Sequence, residues 1–459
     1  MKGQTATDMD AEKPPPRPGG FWGVRTPFAP SRCPVFYGWV IVFAATLGAI
    51  FSIPGQTMGF SVFTDVLMEE LDLSRVELSL AYCIGTVGSG LTLPWLGKVL
   101  DRQGERKMAV ASVIATGVVL FYLAQTGPIS RALGTFFPAS IAAFLVIGLG
   151  FYLIRAAAQG VLSMACRNAI GKWFDHKRGL ALAVSGVLVS FTYSVAPRGL
   201  DWLIQKHGHA GAWMLMGAAT LVVMAPLAWL LFRDAPEDDG LKMDNGKIAT
   251  KPHHNPDMQI HREFTRDEAV RDYSFWVFNF AFSFYGLFAT AFTFHILSLG
   301  EEYQFDRERI LALFVPIAAV SVSTNLVFGA INTRLRLKTL LLVMNLGCLS
   351  AVLGMLFLNQ PGGVPAYVIG NGIASGGFVS LTGIVFPRFY GRKHLGAISG
   401  VNMSSMVIGS GLGPLLFGAC HHFSGSYRLI LIASIFIPTA LALLSLCADN
   451  PQSKLNPPA

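Results

Sequence analysis

Arg155 is the one arginine, lysine, aspartate or glutamate well inside the long apolar runs of this 459-residue chain. Arg198 also falls in such a run, but at its end, where a long side chain reaches the interface. A charge in hydrocarbon costs at least about 2.5–3.5 kcal/mol, so it faces a cavity or a partner. Gln159 stands four residues on and shares the same helix face. The guanidinium fork suits an anion; the alternative is an arginine bonded to helix carbonyls. Pro54-Gly55 interrupts an earlier run, and Gly286 falls at the matching place in a later one. Proline removes a backbone donor, and freed backbone in a bilayer is tolerated only against protein or a cavity. Gln56 and Thr57 follow the first interruption and are candidate contacts, with simple helix curvature as the alternative. His295 can hold a substrate or a proton, or be a hydrogen-bonded interfacial histidine. Asn279, Asn325, Asn371 and Asn402 either tie helices together or line a path, and Asn279 and Asn371 join the candidate site.

These groups bind rather than react. The sequence has no nucleophile–base constellation and no phosphate loop. Its cysteines are scattered, without a CxxC pair. No enzyme, cofactor or metal is expected.

The elements that hold these residues are helices in a membrane. Hydrophobic residues make up 52% of the chain and charged residues 14%, with a mean hydropathy of +0.50. A soluble protein carries roughly a quarter charged residues. The apolar runs are about 20 residues long and do not alternate, which predicts spanning helices rather than strands. The expected fold is an all-α membrane protein of about twelve helices. They lie near residues 37–63, 78–97, 108–126, 138–165, 179–198 and 211–232, then 273–299, 310–331, 339–358, 364–387, 395–420 and 428–447. The expected organisation is a disordered tail over 1–35, a six-helix bundle over 36–232, a polar linker over 233–271, a second bundle over 272–448 and a tail over 449–459. The net charge of +8 sits beside apolar spans, which points to membrane orientation and not to nucleic acid. Lysine and arginine cluster in the loops around 98–107, 167–178, 334–338 and 388–393. By the positive-inside rule both termini and the linker are cytoplasmic.

The halves repeat. Glu69-Glu70-Leu71-Asp72-Leu73-Ser74-Arg75 aligns with Glu301-Glu302-Tyr303-Gln304-Phe305-Asp306-Arg307 at an offset of about 232. The same offset pairs Gly97 with Gly329 and Arg102 with Arg334. Parallel six-helix repeats are a transporter architecture.

The loop Gly97-Lys98-Val99-Leu100-Asp101-Arg102-Gln103-Gly104-Glu105-Arg106-Lys107 resembles the signature between the second and third helices of the major facilitator superfamily. Its repeat copy keeps Gly329 and Arg334 but has Thr333 where Asp101 stands. The resemblance implies a conformational latch built from Gly97, Asp101, Arg102 and Arg106. Independently, Gly97 permits close helix approach, and Asp101 needs an arginine or a helix N-terminus as partner. Arg155-Ala156-Ala157-Ala158-Gln159-Gly160 is similar, with a small departure in spacing, to the family's arginine followed by Gln-Gly in the fourth helix. Tyr37-Gly38-Trp39-Val40 and Trp173-Phe174 look most like the monocarboxylate and oxalate–formate branch. That branch has basic residues in its eighth helix, and its exchangers also in the eleventh; residues 310–331 and 395–420 here hold neither lysine nor arginine. The expected function is secondary transport of a small organic anion by alternating access. A carrier or exporter of neutral or cationic compounds, or a membrane sensor, is the alternative. Expected partners are a small-molecule substrate, a coupling proton or counter-substrate, and the lipid bilayer of the plasma membrane, with the protein acting as a monomer.

Overall fold

The computed structural model describes residues 20–246 and 260–455. Ten helices among them are long and apolar enough to cross a membrane. One of these, Arg178–Leu231, bends at Gly208, whose φ of 69° is non-helical, and so crosses twice. A further apolar helix, Gly38–Phe51, resumes after a break as Thr57–Ser61. The result is two sets of six. The first set is α1 (Gly38–Phe51), α2 (Arg75–Gln103), α3 (Glu105–Leu123), α4 (Ala139–Trp173), α5 (178–207) and α6 (209–231). The second is α7 (Tyr273–Glu302), α8 (Phe314–Ile331), α9 (Leu337–Leu356), α10 (Gly363–Phe389), α11 (Leu395–Ser424) and α12 (Arg428–Ser445).

The repeat is visible in how helices start and where the sets touch. Ser74 caps α2 in a reciprocal box with Glu77, and Asp306 caps the turn before α8 by accepting from the Arg309 N–H. Gly97 lets α2 press on α11: a Cβ there would lie 2.2 Å from the Gly396 carbonyl oxygen. Its repeat partner Gly329 presses α8 onto α5 in the same way, 2.6 Å from the Gly179 oxygen. Each half thus lays its second helix against the fifth of the other.

Only one of the two expected interruptions is present. Residues 53–55 form a 3₁₀ turn and Gln56 is extended, so α1 breaks at Pro54-Gly55. The break presses on α4, where a Cβ on Gly55 would lie 2.6 Å from the Ala158 Cβ. That part of α4, Arg155–Leu162, is a π-helix, a form frequent at functional sites. By contrast α7 runs unbroken through Gly286. Glycine in a helix costs about 1 kcal/mol but removes no hydrogen bond, whereas proline removes one.

The polar segments also differ from expectation. The chain from Gly20 is packed, not a disordered tail. Arg106 donates to the carbonyls of Gly23 and Thr26 at 3.0 and 2.7 Å, and Arg233 donates to that of Val24 at 3.0 Å. Asp239 accepts from the Arg25 side chain and the Ser31 amide, each at 2.8 Å. Burial works against the ionised Asp239 carboxylate, but those two donors hold its pKa below the ordinary value. The two ends of the expected linker are anchored as well, by Asp244 to the Asp175 and His176 amides and by Gln452 to those of His261 and Arg262. Residues 1–19, 247–259 and 456–459 of the expected tails and linker lie outside the described residues. Both described termini lie at the end of the bundle that carries the basic loops, called the basic end below.

Asp239→Ala should release the 20–35 strap. Trypsin should then cut after Arg25 or Arg32 about tenfold faster or more, as expected for lost charge-assisted hydrogen bonds. An unchanged cleavage rate in detergent-free nanodiscs would show that Asp239 does not hold it.

Candidate functional site

A cavity of about 400 Å³ lies between the two sets of helices. The α1 break and the π segment of α4 bring three expected residues into its wall: Gln56, Thr57 and Gln159. Gln56 donates to Ser52 and Ser163 at 3.1 and 3.4 Å, and Thr57 bonds the Tyr82 hydroxyl at 2.9 Å. The Gln159 Oε1 is buried without a partner among the described residues. Gly286 also faces the cavity, giving room rather than a break.

Arg155 is 1% exposed and is not part of the cavity wall. Its guanidinium donates to the Gly55 carbonyl at 3.3 Å, to Thr57 at 3.2 Å and, across the two halves, to Ser410 at 3.5 Å. It also stacks over the Tyr82 ring, 5.2 Å from the centroid. Thr57 and Ser410, which do line the cavity, stand between it and the open space.

The structure leaves three expected residues away from the cavity. Asn279 is fully buried between α7 and α11, donating to Ser405 at 3.0 Å and accepting from Asn402 at 2.9 Å. Asn371 donates to Tyr367 within α10 at 3.2 Å. His295 sits within the second half, its Nε2 2.9 Å from the Pro414 carbonyl and its Nδ1 3.1 Å from the Tyr427 hydroxyl.

One charged residue of the wall escaped the sequence reading. The apolar run predicts a fourth span ending near residue 165, but α4 continues to Trp173. Arg167 therefore lies within the membrane-spanning helix and faces the cavity. Its one hydrogen-bond partner among the described residues is the Met403 sulfur of α11, at 3.7 Å. The length of the apolar run gave no sign of it; continuation of the helix pattern through Ala165-Cys166-Arg167-Asn168-Ala169-Ile170 could have.

At the basic end the halves are joined by charges lodged on helix termini. The Asp101 carboxylate accepts from the Gly396 and Ala397 amides at 2.6 and 2.7 Å, on the first turn of α11. A helix N-terminus offers unbonded N–H groups and partial positive charge. The reverse contact comes from the second half. Arg392 donates to the Lys172 carbonyl at 2.6 Å, in the last turn of α4, and to Glu237 at 2.9 Å. Gly97 and Asp101 are thus together at the seam. Arg102 is exposed on the last turn of α2, and Arg106 serves the strap and the Trp229 carbonyl instead.

Asp101→Asn and Arg392→Gln should each loosen this seam by about 1–2 kcal/mol, roughly tenfold in the ratio of open to closed forms. A cysteine at Ser399, which bonds Asn168 across the halves at 3.1 Å, should react about tenfold faster with a reagent added at the basic end. Equal reactivity in parent and both variants would mean these contacts do not hold the halves together.

Residues 45–370 match the family model described as Major Facilitator Superfamily. An uncharacterized MFS-type transporter, YhjX of Escherichia coli (strain K12), is 21% identical over 227 residues. The match covers 49% of this chain and 48% of that relative, so the chain aligns with only about half of its length. The crystal structure of the human organic anion transporter MFSD10 (TETRAN) is similar over 89% of this chain and 99% of that one, at 13% identity and a TM-score of 0.61. A bacterial homologue of the iron transporter ferroportin, in an outward-facing state, is similar over 89% and 99%, at 14% identity and a TM-score of 0.64. At these identities the two structures speak to the fold alone.

Proposed function

The chain belongs to the major facilitator superfamily, and from that premise we propose that it is a secondary carrier of a small organic anion, working by alternating access. The observation that carries this reading is the charge of the interior. The cavity wall has an arginine and, among the described residues, no aspartate or glutamate. Arg155, one side chain behind that wall, is bonded to neutral oxygens only. A cationic substrate would meet uncompensated positive charge, while an anion would neutralise it. The substrates named for the two fold neighbours, organic anions and iron, differ from each other, so the choice rests on the cavity.

Alternating access is supported by the duplication and by a cavity shared between the halves. With the halves joined at the basic end, the seam of Asp101 and Arg392 must open for release on that side. The positive-inside rule supports a cytoplasmic position for that end and for both termini, in a carrier of the plasma membrane. A coupling proton or counter-substrate supplies the gradient, with His295 as a protonatable group in the second half.

Purified protein in proteoliposomes should take up labelled carboxylates above protein-free vesicles and leave amines and sugars near background. A best substrate without negative charge would overturn the reading.

A further inference from the structure

We infer that Arg167 anchors the substrate's carboxylate, and that the ligand is a singly charged carboxylate with an apolar body. The inference rests on the anion-carrier reading and assigns its binding group.

The first argument is the hydrogen bonding of the other arginines. Arg106, Arg155, Arg178, Arg233 and Arg388 are all buried, and each donates to at least one backbone carbonyl. Arg167 reaches no oxygen among the described residues and has only a thioether, a weak acceptor. A guanidinium in a membrane interior, facing a cavity and bonded to sulfur alone, lacks the partner that its desolvation demands. A carboxylate meets the planar fork with two parallel bonds. Arg155, by contrast, is already held by Gly55, Thr57 and Ser410 and lies outside the wall.

The second argument is the shape of the charge. Arg167 is the one fixed charge in the described lining, so a second carboxylate on the ligand would be buried without a cation. The side contributed by α10 and α11 is largely apolar, with Phe378, Val379, Met403 beside Arg167, Met406 and Val407 against the two hydroxyls of Thr382 and Ser410. That surface suits a hydrocarbon or aromatic body, and its methionines adapt to shape. A volume of about 400 Å³ is within the range of pockets for ligands well above acetate in size.

The test is binding to purified protein in nanodiscs, by calorimetry. The probes are phenylacetate, indole-3-acetate and octanoate, compared with acetate, succinate and the neutral isostere phenylacetamide. At least one apolar-bodied monocarboxylate should bind about tenfold tighter than acetate or succinate. Arg167→Gln should weaken it on the order of 10–100-fold, the loss of charge-assisted bonds, and leave phenylacetamide unchanged. Arg167→Lys should retain part of the affinity. A second measurement needs no variant. Arg167 itself lines the cavity, so the tightest carboxylate, and not phenylacetamide, should slow its modification by phenylglyoxal, read on the Arg167 peptide by mass spectrometry.

Unchanged affinity in a folded Arg167→Gln, or no protection of Arg167 from phenylglyoxal in the parent, overturns the assignment. If Arg155→Gln abolishes binding while Arg167→Gln does not, the anion reading stands and the anchor is Arg155. Acetate and succinate binding as tightly as phenylacetate would remove the apolar body while keeping the anion. A parent that binds and transports no anion, but does transport an amine or sugar, removes the reading itself.

Discussion

A guanidinium taken out of water has to be solvated again, and in this chain backbone carbonyls do it. Helices leave their last carbonyls unbonded, and a break or a loop frees more. Arg155 is held at the Pro54-Gly55 break, Arg106 and Arg233 inside the 20–35 strap and at the end of α6, and Arg392 at the end of α4. Each pairing fixes one irregular piece of backbone against the bundle. The α1 break persists because it supplies an oxygen to Arg155, and the strap is ordered because it supplies several. Arg167 stands apart because the helix around it is continuous and has no carbonyl to give.

Much of the architecture was legible because a bilayer permits few backbone arrangements. Apolar length gave the helices, lysines and arginines gave the common side of the loops, and the 232-residue offset gave the duplication, down to Ser74 and Asp306 as helix caps. Pro54 was legible as a break because it deletes a donor. Gly286 was overread, since its missing Cβ loosens a helix without cutting a bond. Arg167 is not legible as an interior charge because a charge beside an apolar run reads as the end of a span, whereas α4 is long enough to carry one within it. Arg106 shows a further limit. A basic residue in a loop reads the same whether it orients the protein, latches a helix or, as here, threads a strap that composition marks as loose.

The repeat preserves backbone geometry but not chemistry. In the first half the interior polar groups include arginines and the hydroxyls and amides of Gln56, Gln159 and Ser163. In the second half Arg388, in the last turn of α10, is held by Asn332, and the other buried polar pairs are neutral: Asn279 with Asn402 and Ser405, Asn345 with Ser445 at 2.9 Å, and Asn371 with Tyr367. Those of Asn279 and Asn345, which run across helices, are worth roughly 1 kcal/mol each in a membrane. They hold a half together without attracting an ion. The cavity therefore carries its fixed charge on the first half's side, while the second half contributes hydrocarbon and neutral hydroxyls such as Thr290, Thr382 and Ser410, although the helices of the two sides are related by the repeat.

Helix α4 unites these features. It carries Arg155 against the α1 break, Gln159 and Arg167 in the cavity wall, and the Lys172 carbonyl that Arg392 of the second half grips. From Arg167 to Lys172 is five residues, roughly 8 Å of helix at 1.5 Å per residue. A helix of that length transmits a shift without absorbing it. Further up, the π segment at Arg155–Leu162 has a different hydrogen-bond register from the rest, and such segments are where a helix can change its winding. The cavity and the seam at the basic end are therefore joined by rigid helix, while the irregular segment lies on the far side of Arg167. A displacement of Arg167 along the helix axis would reach the Lys172 carbonyl through regular helix alone, without crossing the π segment.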